Sequence, residues 1–478
     1  MHVSTGLAVV TALVTVAAVA VSPDPLLTAA AGSILVLALG ILWPTRDAPI
    51  LLLPFSLQWL SVAIKPIQSA LTGVPLDELS QRGAALTPAA WLGIAGLLAL
   101  ALGMRLGVGR PRTDRNAALA REAAALPEGL IVGVSLAAIV GGHLLDLVAY
   151  DLGPAVQIAL ALSSIRLAGL FALTLWCVAR RRHLVLLAGV VAFELVFGMT
   201  GFFSEFKDAL LVFVIAVVAA QPRVRPASVV VGTAAFALLL VAGVYWSAIK
   251  PDYRDFLNEG SGQQIVVQPI EERVAYLQDA AQNFDRANFA EGLDALVKRQ
   301  SYIDFLAHTI AHVPAHVQHE NGARTAEAIA HALTPRLLFP NKPELPNDTE
   351  VTARYTGLVF ANVENSSISI GWLGDLYIDF SWQGAILGAF VLGLGIGWIQ
   401  RALAAYRGAP LLVNLAIATA AMLPFTVFER PLVKVIGGGL IVFGAAIVIQ
   451  WIVALLVRRT ASRRPRARAQ SLAGNRPL

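Results

Sequence analysis

Residues 432–459 read LVKVIGGGLIVFGAAIVIQWIVALLVRR. Between Lys434 and Arg458 no residue is charged, and a helix of that length crosses the ~30 Å hydrocarbon core of a bilayer. The run ends in a tail that carries Arg458, Arg459, Arg463, Arg464, Arg466 and Arg468. An apolar stretch stopped by clustered arginines has the pattern of a membrane span whose basic flank stays in the cytoplasm.

Eleven further stretches have the same character, at roughly 6–22, 26–43, 49–65, 88–106, 128–150, 154–179, 183–203, 206–221, 227–249, 381–400 and 409–429. With 432–457 they predict an all-α polytopic membrane protein of about 12 transmembrane helices. Composition agrees. Of 478 residues, 57% are hydrophobic and 14% charged, where soluble domains carry about a quarter charged residues. The mean hydropathy of +0.68 excludes a soluble multidomain enzyme. The N-terminal apolar run lacks a basic leader and reads as a retained helix. The single cysteine, Cys177, excludes an intrachain disulfide and reads as a small buried hydrophobe.

Charge placement gives the orientation. Arg105, Arg110, Arg112, Arg115 and Arg121 lie between the fourth and fifth stretches, and Arg180, Arg181 and Arg182 between the sixth and seventh. Arg223 and Arg225 follow the eighth, and Arg401 and Arg407 the tenth. Twelve alternating crossings put all of these beside the basic tail, with both termini cytoplasmic. Between Lys250 and Ser367 the balance reverses, with 10 Lys and Arg against 16 Asp and Glu. The expected organisation is therefore helices 1–9 in 1–249, an external and mostly helical loop domain in 250–367, helices 10–12 in 368–457, and a basic cytoplasmic tail in 458–478. A net charge of +5 placed this way is a topology signal, and no nucleic-acid partner is expected.

The external segment carries the candidate chemistry, since a connection this long usually folds or functions on its own. Arg273, Arg299, Arg324, Arg336, Lys342 and Arg354 offer guanidinium forks and an ammonium suited to phosphate oxygens. Arg336 and Lys342 sit in TPRLLFPNKPELPND (334–348), which its prolines hold extended. Five of the eight histidines lie here. His308 and His312 are one helical turn apart, but no glutamate follows His308, so the zinc-protease pattern is absent and no metal or cofactor is expected. Asp375 and Asp379, four apart before the tenth apolar stretch, share a helix face and are candidate general bases or caps of a turn. Within the apolar stretches, Arg166 and Glu194 are expected to pair, since lone charges at that depth are costly. Lys207 and Asp208, Lys250 and Arg254, and Glu429, Arg430 and Lys434 mark ends that could together ring a cavity floor beneath the external domain.

Four pieces in order resemble Wzy-like oligosaccharide repeat-unit polymerases, the O-antigen and capsule polymerases of bacterial membranes. GFFSEFKDALL (201–211) is similar to a short polar helix entrance with a lysine, here Lys207. YWSAIKPDYRDF (245–256) is similar to a helix exit with a tyrosine-arginine pair, here Tyr253 and Arg254. The proline-rich segment supplies Arg336, Lys342 and Pro343, and GDLYIDFSWQGAILG (374–388) supplies an acidic-x-Tyr element and a helix start, here Asp375, Tyr377 and Gly384. The chain departs from the family at Asp375, where glutamate is commoner, and at Ser381, where glycine is usual. The first 190 residues share only hydrophobic helices with it.

The resemblance implies a GT-C-like helical glycosyltransferase in the bacterial cytoplasmic membrane. It would polymerise oligosaccharide repeat units carried on polyprenyl diphosphate, with a chain-length regulator as a possible partner. Arg336, Lys342 and Arg254, with Arg299 and Lys207 behind them, would contact the diphosphate. Asp375 or Asp379 would act as base, with His319 as an outsider. The same layout leaves open a lipid-linked-glycan flippase or an O-antigen ligase.

Overall fold

The apolar run quoted first lies within one helix from Leu432 to Ala473, whose part Leu432–Leu455 is apolar enough to cross a membrane, as a run without proline and with Lys434 as its one charge allows. The structure is a computed structural model, and it describes residues 2–43, 48–109, 115–201, 206–221, 223, 226–261, 265–334, 339, 341–360, 363 and 367–473. Among these the regular elements are helical, with no strand. The first nine helices are α1 (Val3–Val21), α2 (Pro25–Leu42), α3 (Leu52–Thr72), α4 (Leu86–Val108), α5 (Arg115–Ala125), α6 (Glu128–Val148), α7 (Val156–Ser163), α8 (Ile165–Arg180) and α9 (Leu184–Met199). They continue with α10 (Phe206–Ala220) and α11 (Pro226–Leu257). The predicted external segment forms α12 (Ile270–Gln282), α13 (Arg286–Gln300), α14 (Ile303–His312), α15 (Ala323–Leu333) and α16 (Asp348–Thr356). The chain closes with α17 (Trp372–Ala404), α18 (Leu411–Ala420) and α19 (Leu432–Ala473).

Each of the twelve predicted stretches contains a helix, but seven helical segments among the described residues are long and apolar enough to cross a membrane. One of the seven, Glu128–Arg180, covers two predicted spans. Gly153, at φ 54°, turns the chain, and α8 folds back onto α6. The contact is close because Gly142 and Gly169 face it: a Cβ on either would stand 2.6–2.7 Å from a carbonyl oxygen, of Ser163 or Ser135. The helices Leu184–Met199, Phe206–Ala220 and Leu411–Phe425 are shorter than a full span. α3 has the length but not the apolarity. Two of its polar side chains are buried and bonded: Gln58 accepts from Trp372 Nε1 at 3.0 Å and donates to the Phe425 carbonyl at 2.6 Å, and Lys65 donates to the Leu79 carbonyl at 2.7 Å. The chain is an all-helical, membrane-associated protein.

The core seam is the packing of α4 against α17. Gly103 and Gly107 face the Phe390 and Leu394 carbonyls, and Gly393 and Gly397 face those of Leu100 and Met104. Four glycines used reciprocally bring the two backbones into contact, as small residues do between membrane helices. The basic loops gather at one end of the bundle. Arg401 meets Gly109 just beyond α4, Glu122 of α5 accepts the N–H groups of Leu411 and Leu412, and Arg180 donates to the Ala124 carbonyl.

α17 is broken at Ser381, which holds φ 59° and ψ −162°. The break frees the Ile378 carbonyl, which accepts from the Glu320 N–H at 3.0 Å and lies 3.1 Å from His319 Nδ1. The half-helix Trp372–Phe380 is thereby bound to the segment that leads into α15.

Candidate functional site: a cationic basin

The ends of α10, α11 and α13 and the turn before α19 converge. Tyr253 and Arg273 both donate to the Thr200 carbonyl, at 3.1 and 3.0 Å, and fix the end of α11 over the end of α9. α13 crosses α11 at Gly292, where a Cβ would overlap the Val244 carbonyl. One consequence is that Arg299, in the last turn of α13, faces Lys250 and Arg254 of α11.

Lys250 interacts electrostatically with Arg299, Arg254, Lys207 and Glu429, and Arg254 with Arg299. On the adjoining side Asp208 interacts with Lys207, Arg166 and Arg430. Among the described residues the basin thus holds five cations, Lys207, Lys250, Arg254, Arg299 and Arg430, against two carboxylates, Asp208 and Glu429. Lys207, Lys250 and Arg299 make no hydrogen bond or ion pair with any described residue. Like charges held together at partly buried positions repel, and an anion relieves that repulsion. Two flanking groups feel the same field. Burial pushes the Tyr302 phenol above its ordinary value, with Glu429 adding to the rise and Arg299 opposing it. Burial pulls the Arg430 guanidinium below its ordinary value, opposed by Asp208 and Glu429.

Three of the five cations read from the sequence, Lys207, Arg254 and Arg299, therefore meet. Lys342 does not join them: its Nζ donates to the His331 carbonyl and closes the end of α15. Arg336 lies outside the described residues. Lys250 and Glu429, noted in the sequence only as marks at helix ends, occupy the middle of the basin.

The two candidate bases have other partners. Asp379, 1% exposed, caps α15: its carboxylate accepts the Arg324 and Thr325 N–H groups at 3.1 and 2.6 Å and the Thr325 hydroxyl at 2.5 Å. Asp375 pairs with Arg324 Nη2 at 2.7 Å and accepts the Leu432 N–H at 2.8 Å, which caps α19. Both carboxylates bind helix N-termini, where the dipole favours them. His319 is an anchor of the broken helix, edge-on to Tyr377. His312 stacks on His316 with ring centroids 4.7 Å apart. Among the described residues no group of three His, Cys, Asp or Glu is placed to hold a metal.

Below the basin lies the expected ion pair, Arg166 Nη1 to Glu194 Oε2 at 2.8 Å, with both side chains buried. The sequence did not indicate its third member: His143 Nε2 stands 2.8 Å from the other Glu194 oxygen.

Residues 96–414, more than half of the chain, match the family described as a domain of unknown function, DUF8712. The chain belongs to that family. Neither a curated protein nor a solved structure matches it. The DUF8712 region begins within α4 and ends within α18, so it contains four of the five basin cations, while Arg430 and Glu429 lie just beyond it.

Proposed function

We propose that this protein joins oligosaccharide repeat units carried on polyprenyl diphosphate, at the outer face of the bacterial cytoplasmic membrane. Supporting this reading above all is the basin in which Lys207, Lys250, Arg254 and Arg299 meet with a surplus of positive charge. Such a group suits a lipid diphosphate, whose oxygens take paired bonds from arginine and a point charge from lysine. Twelve crossings in a GT-C-like arrangement, with both termini cytoplasmic, complete the reading. The seven qualifying segments and the basic loops gathered at one end support it.

In this mechanism the acceptor hydroxyl oxygen bonds to the anomeric carbon of the donor sugar and gives up its proton to a carboxylate. The bond from that carbon to the diphosphate oxygen breaks, and the diphosphate leaves with the electron pair, which the cations stabilise. Neither basin carboxylate, Asp208 or Glu429, makes a hydrogen bond with a described residue, and we assign the proton to Glu429, which faces Lys250. Asp379 and Asp375, committed to the starts of α15 and α19, serve as positioning residues.

The test is the surface-glycan profile of a deletion strain complemented with wild type or with Lys250→Ala/Arg299→Ala. Single-repeat caps in the deletion and in the double variant, with polymer restored by wild type, support polymerisation. Lipid-linked polymer accumulating in the deletion indicates a ligase. A lipid-linked-glycan transporter is the second reading, favoured by the ionisable His143–Glu194–Arg166 group that continues from Asp208 into the bundle. Repeat units trapped on the cytoplasmic face would establish it.

A further inference from the structure

The helix that carries Arg299 to the basin has two unlike sides. α13 starts at a capping box, in which the side chains of Asp285 and Asn288 each accept the other's backbone N–H, at 2.8 and 3.0 Å. Beyond it the sequence RANFAEGLDALVKRQ (286–300) sorts itself at the helical step of about 100° per residue. Gly292, Leu296, Phe289, Leu293 and Val297 follow one another around one side, and Glu291, Asp294 and Lys298 lie on the other. Asp294 and Lys298 pair there at 2.6 Å.

α11 covers only one edge of the apolar side. Gly292 sits on the Val244 carbonyl, and the Leu296 side chain stands 3.5 Å from where a Cβ on Gly243 would lie. Phe289 and Leu293, next around the helix, are each 40% exposed.

The contacts with α11 also fix the height at which this bare strip lies. Tyr245 of α11 donates to the Leu277 carbonyl at 2.7 Å and meets the Phe284 ring edge-on at 5.3 Å. Gly292 meets Val244 and Ala248, and Leu296 meets Gly243. From Leu277 to Leu296 these contacts stay within 243–248, so α13 crosses α11 at one level and does not run along it. That level is inside the apolar run. No residue from Pro226 to Ile249 is charged, and Gly232–Leu257 is long and apolar enough to span. Val244 precedes Lys250, the first charge after the run, by six residues, about 9 Å along a helix. A helix lying in a bilayer interface buries its apolar face about 5–10 Å into the boundary between headgroups and acyl chains. Nearer its start α11 is itself bare, at Phe236, Leu240 and Val241, as a lipid-facing helix is.

We infer that α13 is an interfacial helix, with Phe289 and Leu293 among the acyl chains of the leaflet on the basin side and Glu291, Asp294 and Lys298 towards headgroups and water. Arg299, in its last turn, then reaches from the apolar boundary to Lys250 and Arg254, as long basic side chains do at membrane surfaces. A lipid surface is thus the partner of the exposed strip, and it sets the height of one wall of the basin. The placement is independent of the function proposed above.

The test is spin-label accessibility in the full-length protein, reconstituted in nanodiscs of phosphatidylethanolamine and phosphatidylglycerol on a Cys177→Ala background. Nitroxides are attached singly to Phe289→Cys, Leu293→Cys and Glu291→Cys, with Leu240→Cys on α11 as the lipid-facing reference. All four positions are exposed, so the label displaces no core side chain. Molecular oxygen concentrates in hydrocarbon and a neutral nickel chelate in water, and the ratio of their collision rates with the label reads depth. The oxygen-to-nickel ratio at 289 and 293 is expected to match that at 240 and to exceed that at 291 several-fold. Nickel access at 289 and 293 equal to that at 291 would put the strip in water and overturn the inference. Low access to both reagents at 289 and 293 would show a strip covered by protein, a second copy of the chain included, and would overturn it equally.

Discussion

Asp379 and Thr325 are joined twice, the carboxylate accepting both the backbone N–H, at 2.6 Å, and the hydroxyl, at 2.5 Å, of the same residue. A carboxylate 54 residues away in the chain thus starts α15 and ties it to the half-helix that precedes the break in α17. Asp379→Ala is expected to lower the stability of the purified protein by about 2 kcal/mol or more, since it removes a cap and leaves buried donors unpaired. Thermal unfolding in detergent reads this directly. A variant that is inactive but fully stable would return Asp379 to the list of bases.

The Arg166–Glu194 pair gives a second expectation. Glu194→Leu alone strands a buried guanidinium and should cost about 3–5 kcal/mol, seen as a lower unfolding temperature and less protein in the membrane. Arg166→Leu/Glu194→Leu should recover most of that loss. A charge swap is the poorer test, because it would place a carboxylate within reach of Asp208. If the double leucine variant is no better than the single one, the pair is not the source of the loss.

Ser381 holds a backbone conformation, φ 59° and ψ −162°, that is open to glycine and strained for any other residue. Ser381→Gly should therefore stabilise the protein by about 1 kcal/mol even though it puts glycine inside a helix. A fall in unfolding temperature would mean that the serine side chain contributes more than its backbone costs.

His308 sets a pH dependence. Burial first, then the Arg82 guanidinium, hold its imidazolium below the ordinary value of 6.5, with Asp304 opposing. His312, one turn on, is lowered by burial and by His316. A base with a depressed value in the folded state binds its proton more readily when unfolded. Stability is therefore full above 6.5 and is lost as pH falls from there towards the lowered value. His308→Gln should flatten unfolding temperature against pH over this window, and an unchanged slope would remove His308 as the cause.

Lys250 lies at the centre of the basin. Lys250→Ala should leave unfolding temperature unchanged or raise it, because it relieves repulsion from Arg254 and Arg299. It should also weaken pyrophosphate binding about tenfold, as loss of a charge-assisted contact does. Lys250→Arg should restore most of the binding.

The helices were legible because apolar runs of spanning length have few other uses in a chain this poor in charge. α3 covers most of the stretch read as a span over 49–65 and carries Gln58 and Lys65, whose partners Trp372, Phe425 and Leu79 could not be foreseen from the sequence. Arg166 and Glu194 could be paired from the cost of lone charges on neighbouring antiparallel helices. His143 comes from α6 and carries no local mark of that contact. Lys207, Arg254 and Arg299 could be named as cations, but their meeting depends on the glycine crossing of α13 over α11. The helix-capping of Asp375 and Asp379 was hidden because their partners, Arg324, Thr325 and Leu432, are brought to them only by the folded external segment.

The reciprocal glycines of α4 and α17 have a mechanical corollary. With carbonyl oxygens seated where side chains would otherwise stand, neither helix can slide one residue along the other without a backbone collision. That flank acts as a keel. The close packing leaves no gap along that seam for a side chain, let alone a ligand, to pass between the two helices.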